Sequence, residues 1–128
     1  MKIILNGLCG FMCKEVIKLA NANYQNAQIV GGIDPFMSGN EDFPCVKNYS
    51  DANFKGDCIV DFSHHSTTPA LLDYAIKNNL PLVLCTTGHT EEEKQLILNA
   101  SIQNSCGSSS RLVFLKNFLF GIIVPVFC

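Results

Sequence analysis

The sequence predicts a single α/β domain built on a doubly wound parallel sheet, and three observations carry that prediction. Short apolar runs bounded by turn residues alternate with stretches of helical period, first over residues 2–33 and again over 58–100. The first run, Met1-Lys2-Ile3-Ile4-Leu5-Asn6, leads into a glycine turn, Gly7-Leu8-Cys9-Gly10, and then into a helical stretch. The second, Val30-Gly31-Gly32-Ile33-Asp34, closes on an acidic residue near the spacing at which a ribose-binding carboxylate follows such a turn. Together they describe a Rossmann-like arrangement.

Each element follows from its residues. Residues 2–5 read as a strand, and Lys14 to Asn23 as a helix with Val16, Ile17, Leu19 and Ala20 on one face. Residues 28–33 are the second strand. Asp34 to Gly56 is the least periodic stretch, a long loop with one short strand, whose Phe36, Phe43, Val46 and Tyr49 are expected to tuck under the sheet edge. Cys58 to Phe62 is the next strand. It is followed by a helix from about Pro69, with Thr68 as its cap and Leu71, Leu72, Ala75 and Ile76 facing inward. Leu80 to Cys85 is a fourth strand, and Thr90-Glu91-Glu92-Glu93 has the form of a capping box ahead of Leu96, Ile97 and Ala100. The expected dinucleotide-binding domain therefore runs over residues 1–104, and residues 105–128 form an irregular apolar tail. That tail is either the end of the domain or a disturbed remnant.

Composition narrows the function classes. A chain of 128 residues with 48% hydrophobic and 16% charged residues buries one core and gives no case for disorder. A net charge of -2 with scattered lysines offers no basic stripe for nucleic acid. The apolar start is too short for a signal peptide, which points to the cytoplasm. Phe118 to Cys128 falls short of the roughly 20 residues of a membrane span and contains Pro125, so it reads as a buried strand or unfinished element. Seven cysteines without a Cys-x-x-Cys pair argue against a disulfide framework and a zinc ribbon, and most read as small buried hydrophobes.

The candidate chemistry sits at strand ends. Gly7 and Gly10 let the backbone approach a ligand at a helix N-terminus, although an ordinary strand-to-helix turn uses the same glycines. Asp34 suits the two ribose hydroxyls of NADH and repels the 2′-phosphate of NADPH, or else is a turn aspartate before Pro35. Asp61-Phe62-Ser63-His64 and Cys85-Thr86-Thr87-Gly88 would border the same crevice, or be plain loops. His64 and His65 are adjacent, so in an extended segment they point apart and share no metal; a solvated or capping role is expected. No metal site, Ser-His-Asp order or Walker lysine is found.

The ordered set Gly7-x-x-Gly10-x-Met12, Ile33-Asp34, Asp61-Phe62-Ser63-His64, Thr86-Thr87-Gly88 and Asn117-Phe118 resembles the dihydrodipicolinate reductase family, also called 4-hydroxy-tetrahydrodipicolinate reductase. The resemblance covers the cofactor domain from Met1 to about Ala100. It implies NADH or NADPH as cofactor, and a cyclic dicarboxylate substrate reduced to tetrahydrodipicolinate in lysine and diaminopimelate synthesis. It also implies a cytoplasmic homotetramer. By the same resemblance Gly7, Gly10 and Met12 lie along the pyrophosphate and Asp34 lies at the adenine ribose. Thr86, Thr87, Gly88, Asn117 and Phe118 then lie towards the nicotinamide.

The chain departs from the family pattern at several positions. Phe11 stands where a basic residue is common, Cys13 and Cys85 where glycines are, and Leu119 where a serine follows Asn-Phe. The family's His-His-x-x-Lys segment, which supplies acid catalysis and binds the substrate carboxylates, is absent from these 128 residues, because His64-His65 is followed by Ser66, Thr67 and Thr68. No catalytic residue is therefore assigned. The C-terminal substrate domain is expected to be missing, the chain being an incomplete cofactor-binding half. The competing readings are a non-catalytic dinucleotide-binding module and a structural remnant that binds nothing.

Overall fold

The computed structural model describes residues 1–39, 41–103 and 112–114. Its strands are β1 (Lys2–Asn6), β2 (Gln28–Ile33), β3 (Cys45–Val46), β4 (Cys58–Asp61), β5 (Leu82–Leu84) and β6 (Leu112–Phe114). Its helices are α1 (Phe11–Asn21), α2 (Thr68–Lys77) and α3 (Glu91–Gln103), with single 3-10 turns at Tyr24–Asn26, Tyr49–Asp51 and His65–Thr67. The strands form one sheet in the order β3-β2-β1-β4-β5-β6, every neighbouring pair parallel. From β1 the chain winds outward through β2 to β3, then crosses back to β4 and winds out the other way. The connections leaving β1 and β4 diverge, and that reversal opens a crevice at their carboxyl ends.

Alternation along β1 sends Ile3 and Leu5 to one face and Ile4 to the other. Ile3 and Leu5 join Leu8 and Cys13 in a cluster covered by Val16 and Ile17 of α1. Ile4 joins Ile33, Ile59, Leu82 and Leu84 beneath Leu71, Leu72 and Ala75 of α2 and Ile97 and Ala100 of α3. A sheet buried on both sides explains why its central strands read as continuous apolar runs. The segment between β2 and β4 closes one edge: Tyr49 packs on Tyr74 with ring centres 5.7 Å apart, and Phe54 lies over Gly31, where a Cβ would enter its ring.

Several expectations need correction. Helix α1 starts at Phe11, not Lys14, because Gly10 is extended (φ -71°, ψ 157°) and takes the N-cap position. Leu19 is exposed while Val16, Ile17 and Ala20 are partly buried. Ile76 and Leu96 are likewise exposed, since each sits one residue, or 100° of helical turn, from the buried Ala75 and Ile97. Phe36 does not tuck under the sheet; it is 85% exposed. Thr68 does not cap α2: Thr67 holds the cap position, and Thr68 is fully buried with its hydroxyl 3.0 Å from His89 Nε2. Strands β4 and β5 stop at Asp61 and Leu84, short of the expected Phe62 and Cys85.

The helix ends on either side of β5 are sealed by local chemistry. The expected capping box is present: Glu93 N–H donates to Thr90 Oγ1 at 3.2 Å and Thr90 N–H to Glu93 Oε2 at 2.9 Å. Helix α2 ends in a Schellman arrangement. Leu80 N–H donates to Ala75 O at 2.9 Å and Asn79 N–H to Ile76 O at 3.1 Å, with Asn79 in the left-handed region at φ 55°.

Candidate functional site

The turn from β1 to α1 is shaped by its neighbours. Gly7 has φ +82°, and a Cβ there would lie 2.7 Å from Ser63 N and 2.8 Å from the Phe62 carbonyl. Close approach of the β4 loop therefore requires the glycine, whatever ligand the turn meets. Gly7 N–H donates to Ile33 O at 3.0 Å, tying the turn to β2 as well. Beyond Gly10, helix α1 opens without a side-chain cap and without an acidic residue in its first turn. Its first N–H groups and the positive end of its dipole thus remain suited to an anion.

Asp34, at the end of β2, is only 6% exposed. Its Oδ2 accepts Cys9 N–H and its Oδ1 accepts Phe36 N–H, both at 2.8 Å, so the carboxylate fixes the glycine turn and its own loop together. Each oxygen keeps a further lone pair for a hydroxyl donor. Asp61, at the end of β4, is 0% exposed and more heavily engaged. Oδ1 accepts Asn6 Nδ2 at 2.8 Å, Ser63 N–H at 3.0 Å and Ser63 Oγ at 2.5 Å; Oδ2 accepts Thr86 Oγ1 at 2.6 Å. Tyr49 O–H extends the network by donating to Asn6 Oδ1 at 3.1 Å, and burial pushes its pKa up, so it stays a donor.

Between these groups lies a cleft of about 600 Å³, lined by the turn at Gly7 and Gly10, by Asp34 and Phe36, by Lys47 and Tyr49, and by Phe62, Ser63 and His64. Its size falls within the roughly 300–1,000 Å³ of small-molecule sites. Of the residues singled out by sequence, Gly7, Gly10, Asp34 and the Phe62 to His64 loop meet here. Met12 lies in the first turn of α1, and Thr86, Thr87 and Gly88 lie outside the cleft lining. The Thr86 hydroxyl is engaged with Asp61, and Gly88, at φ +81°, faces His65. Asn117 and Phe118 lie outside the described residues. Sequence reasoning missed Asn6, Lys47, Asn48, Tyr49, Ser50 and Thr67 in the lining. Asn6 alone carried a signal, as a polar residue ending an apolar strand.

The histidines are arranged differently from an extended pair. His64 caps the turn that follows, its Nδ1 accepting Ser66 N–H at 3.3 Å, and because the chain turns at once the two rings lie 4.2 Å apart. His65 Nδ1 lies 3.0 Å from Glu93 Oε2, and that hydrogen bond holds the Glu93 carboxyl below the usual range. Among the described residues no group of three His, Cys, Asp or Glu is placed to hold a metal. The five described cysteines are free. Burial raises the Cys13 thiol to about 12 and those of Cys45 and Cys85 to about 11. Cys9, though exposed, is also raised, by partial burial and then by the Asp34 charge. None of these thiols is a ready nucleophile at neutral pH. No helix among the described residues is long and apolar enough to cross a membrane.

Known proteins resemble this chain over most of its length. A family model described as dihydrodipicolinate reductase, N-terminus, matches residues 1–118. The 4-hydroxy-tetrahydrodipicolinate reductase of Brachyspira hyodysenteriae is 57% identical over 103 residues, covering 79% of this chain and 36% of that protein. Among solved structures, the dipicolinate-bound dihydrodipicolinate reductase from Paenisporosarcina sp. TG-14 aligns with a TM-score of 0.72 at 21% identity, over 92% of this chain and 48% of that one. An Agrobacterium radiobacter oxidoreductase in complex with NAD+, L-tartaric acid and magnesium aligns with a TM-score of 0.66 at 16% identity, over 92% and 36%. The chain spans 36% to 51% of the length of the first curated relatives it matches.

Proposed function

The chain belongs to the dihydrodipicolinate reductase family, and we propose that it forms the cofactor half of an NAD(P)H-dependent reduction of 4-hydroxy-tetrahydrodipicolinate to tetrahydrodipicolinate in lysine and diaminopimelate synthesis. One observation carries the reading: the glycine turn, the uncapped start of α1 and Asp34 converge on one cleft at the point where the sheet order reverses. Gly7, Gly10 and Met12 hold the pyrophosphate along the start of α1. Asp34 accepts from the adenine ribose hydroxyls. Thr86, Thr87, Gly88, Asn117 and Phe118 serve the nicotinamide half, and the nicotinamide supplies a hydride when bound. The bonds from Thr86 to Asp61 and from Asn6 to Asp61 support that division, because they hold the β1, β4 and β5 ends in one rigid frame.

Residues 1–104 form the dinucleotide-binding domain in this reading. The parallel pairing of β6 with β5 supports taking residues 105–128 as its continuation. The enzyme works in the cytoplasm as a homotetramer. A second reading is a dinucleotide-binding module without catalysis, for which the cleft alone suffices. Titration with NADH followed by addition of the cyclic substrate separates the two. Consumption of NADH supports the reductase, tight binding without consumption selects the module, and no binding overturns both.

A further inference from the structure

We propose that His65 is a positioning residue: through Glu93 and Gly88 it holds the 86–88 loop in place beside the cleft, so that the nicotinamide half of a dinucleotide is gripped as well as the adenosine half. The inference rests on the dinucleotide reading above and adds a residue to which that reading gives no role. The 86–88 loop follows β5 and lies outside the cleft lining, whereas His64, in the loop after β4, lies within it. A ligand reaching from the cleft to the 86–88 loop depends on how firmly the two loops are joined. The ends of the β5 loop are tied by their own side chains. Thr86 Oγ1 donates to Asp61 Oδ2 at 2.6 Å, and His89 Nε2 lies 3.0 Å from Thr68 Oγ1. Between those ties Thr87 and Gly88 are exposed.

His65 reaches that middle. Chain neighbours aside, its Cδ2 is the one described atom within 4 Å of where a Gly88 Cβ would stand, at 3.9 Å. The ring is itself braced on two sides. Its Nδ1 bonds both oxygens of Glu93, Oε2 at 3.0 Å and Oε1 at 3.1 Å, and because a carboxylate only accepts, Nδ1 carries the proton. Glu93 is fixed in turn by Thr90 N–H at 2.9 Å, within the α3 capping box. On the other side the His64 ring lies 4.2 Å away. One imidazole thus joins the cleft lining, Gly88 and the start of α3. The side chains of His65 and Glu93 are only 28% and 14% exposed, so their bond is better shielded than a surface pair.

The test measures, by calorimetry, how the 128-residue chain and its His65→Ala and Glu93→Gln variants bind NADH and ADP-ribose, which lacks the nicotinamide. The parent should bind NADH more tightly than ADP-ribose. His65→Ala should lose about fivefold of its NADH affinity while ADP-ribose changes less than about twofold, and amide exchange over 86–89 should quicken. Glu93→Gln keeps an acceptor for His65 Nδ1–H and for Thr90 N–H, so as the conservative variant it should retain most of the NADH affinity. The Thr86–Asp61 and Thr68–His89 ties survive in each variant, and the melting temperature verifies folding. Glu93→Ala, which breaks the same bond from its other side, replaces a His65→Ala chain that does not fold. A parent that binds NADH no more tightly than ADP-ribose overturns the role of His65 and leaves the dinucleotide reading standing. So does a His65→Ala variant that weakens both ligands equally or neither, or a Glu93→Gln variant as weak as His65→Ala. A folded parent that binds neither ligand overturns that reading and this inference with it.

Discussion

Asp34 and Asp61 end the two strands that flank β1, both are buried, and they are engaged in opposite ways. Asp61 receives four hydrogen bonds, from Asn6, from the Ser63 backbone and hydroxyl, and from Thr86, as many in number as a carboxylate has lone-pair sites, three of them on Oδ1. Asp34 receives two, both from backbone N–H groups, and borders the cleft. A buried acid at a strand end is thus no guide to a binding role until its donors are counted. The more heavily bonded one is a structural tie across three strands; the other has capacity left for a ligand.

The sharpest way to break this contrast is to remove each acid. Asp61→Ala strands several buried donors at once, and its expected cost is roughly 3–5 kcal/mol of unfolding free energy by urea denaturation. Gly7→Ala follows at about 2–4 kcal/mol, combining a left-handed residue with a collision against the Phe62–Ser63 backbone. Asp34→Ala should cost only about 1–2 kcal/mol, because its donors lie next to solvent, while lowering NADH affinity about tenfold or more. Equal stability losses for Asp34→Ala and Asp61→Ala would erase the distinction.

Acid should produce the smallest effect, and on the Asp61 side of the sheet. Burial lowers the His89 pKa from its ordinary 6.5, and the His65 hydrogen bond lowers that of Glu93 from 4.5. In both cases the unfolded chain binds the proton at higher pH than the folded one, so stability falls as pH drops below about 6.5 and falls again below about 4.5. Hydrogen exchange at the start of α3 should quicken over that range before the Gly7 turn responds. Simultaneous loosening of both would show that the two regions share one acid-sensitive unit.

Legibility in the sequence followed the range of the interaction. The Thr90–Glu93 capping box, Pro69 in the first turn of α2 and the strand-helix alternation were readable because each is settled within a few residues. The exposure of Phe36 and the place of Lys47 in the cleft were not, since both depend on how the 34–57 segment lies along the sheet edge. Thr68 was misread for the same reason: its partner, His89, is 21 residues away.

By itself the sequence determined the doubly wound architecture, the two apolar faces of β1 and the glycine turn leading into a helix, because periodicity and turn chemistry are local properties of the chain. Only the tertiary structure decided which aspartate is spent and which is available, and why Gly7 must lack a side chain. Those answers depend on partners brought from far along the chain, Asn6 reaching Asp61 across 55 residues and Cys9 reaching Asp34 across 25, which local pattern does not show.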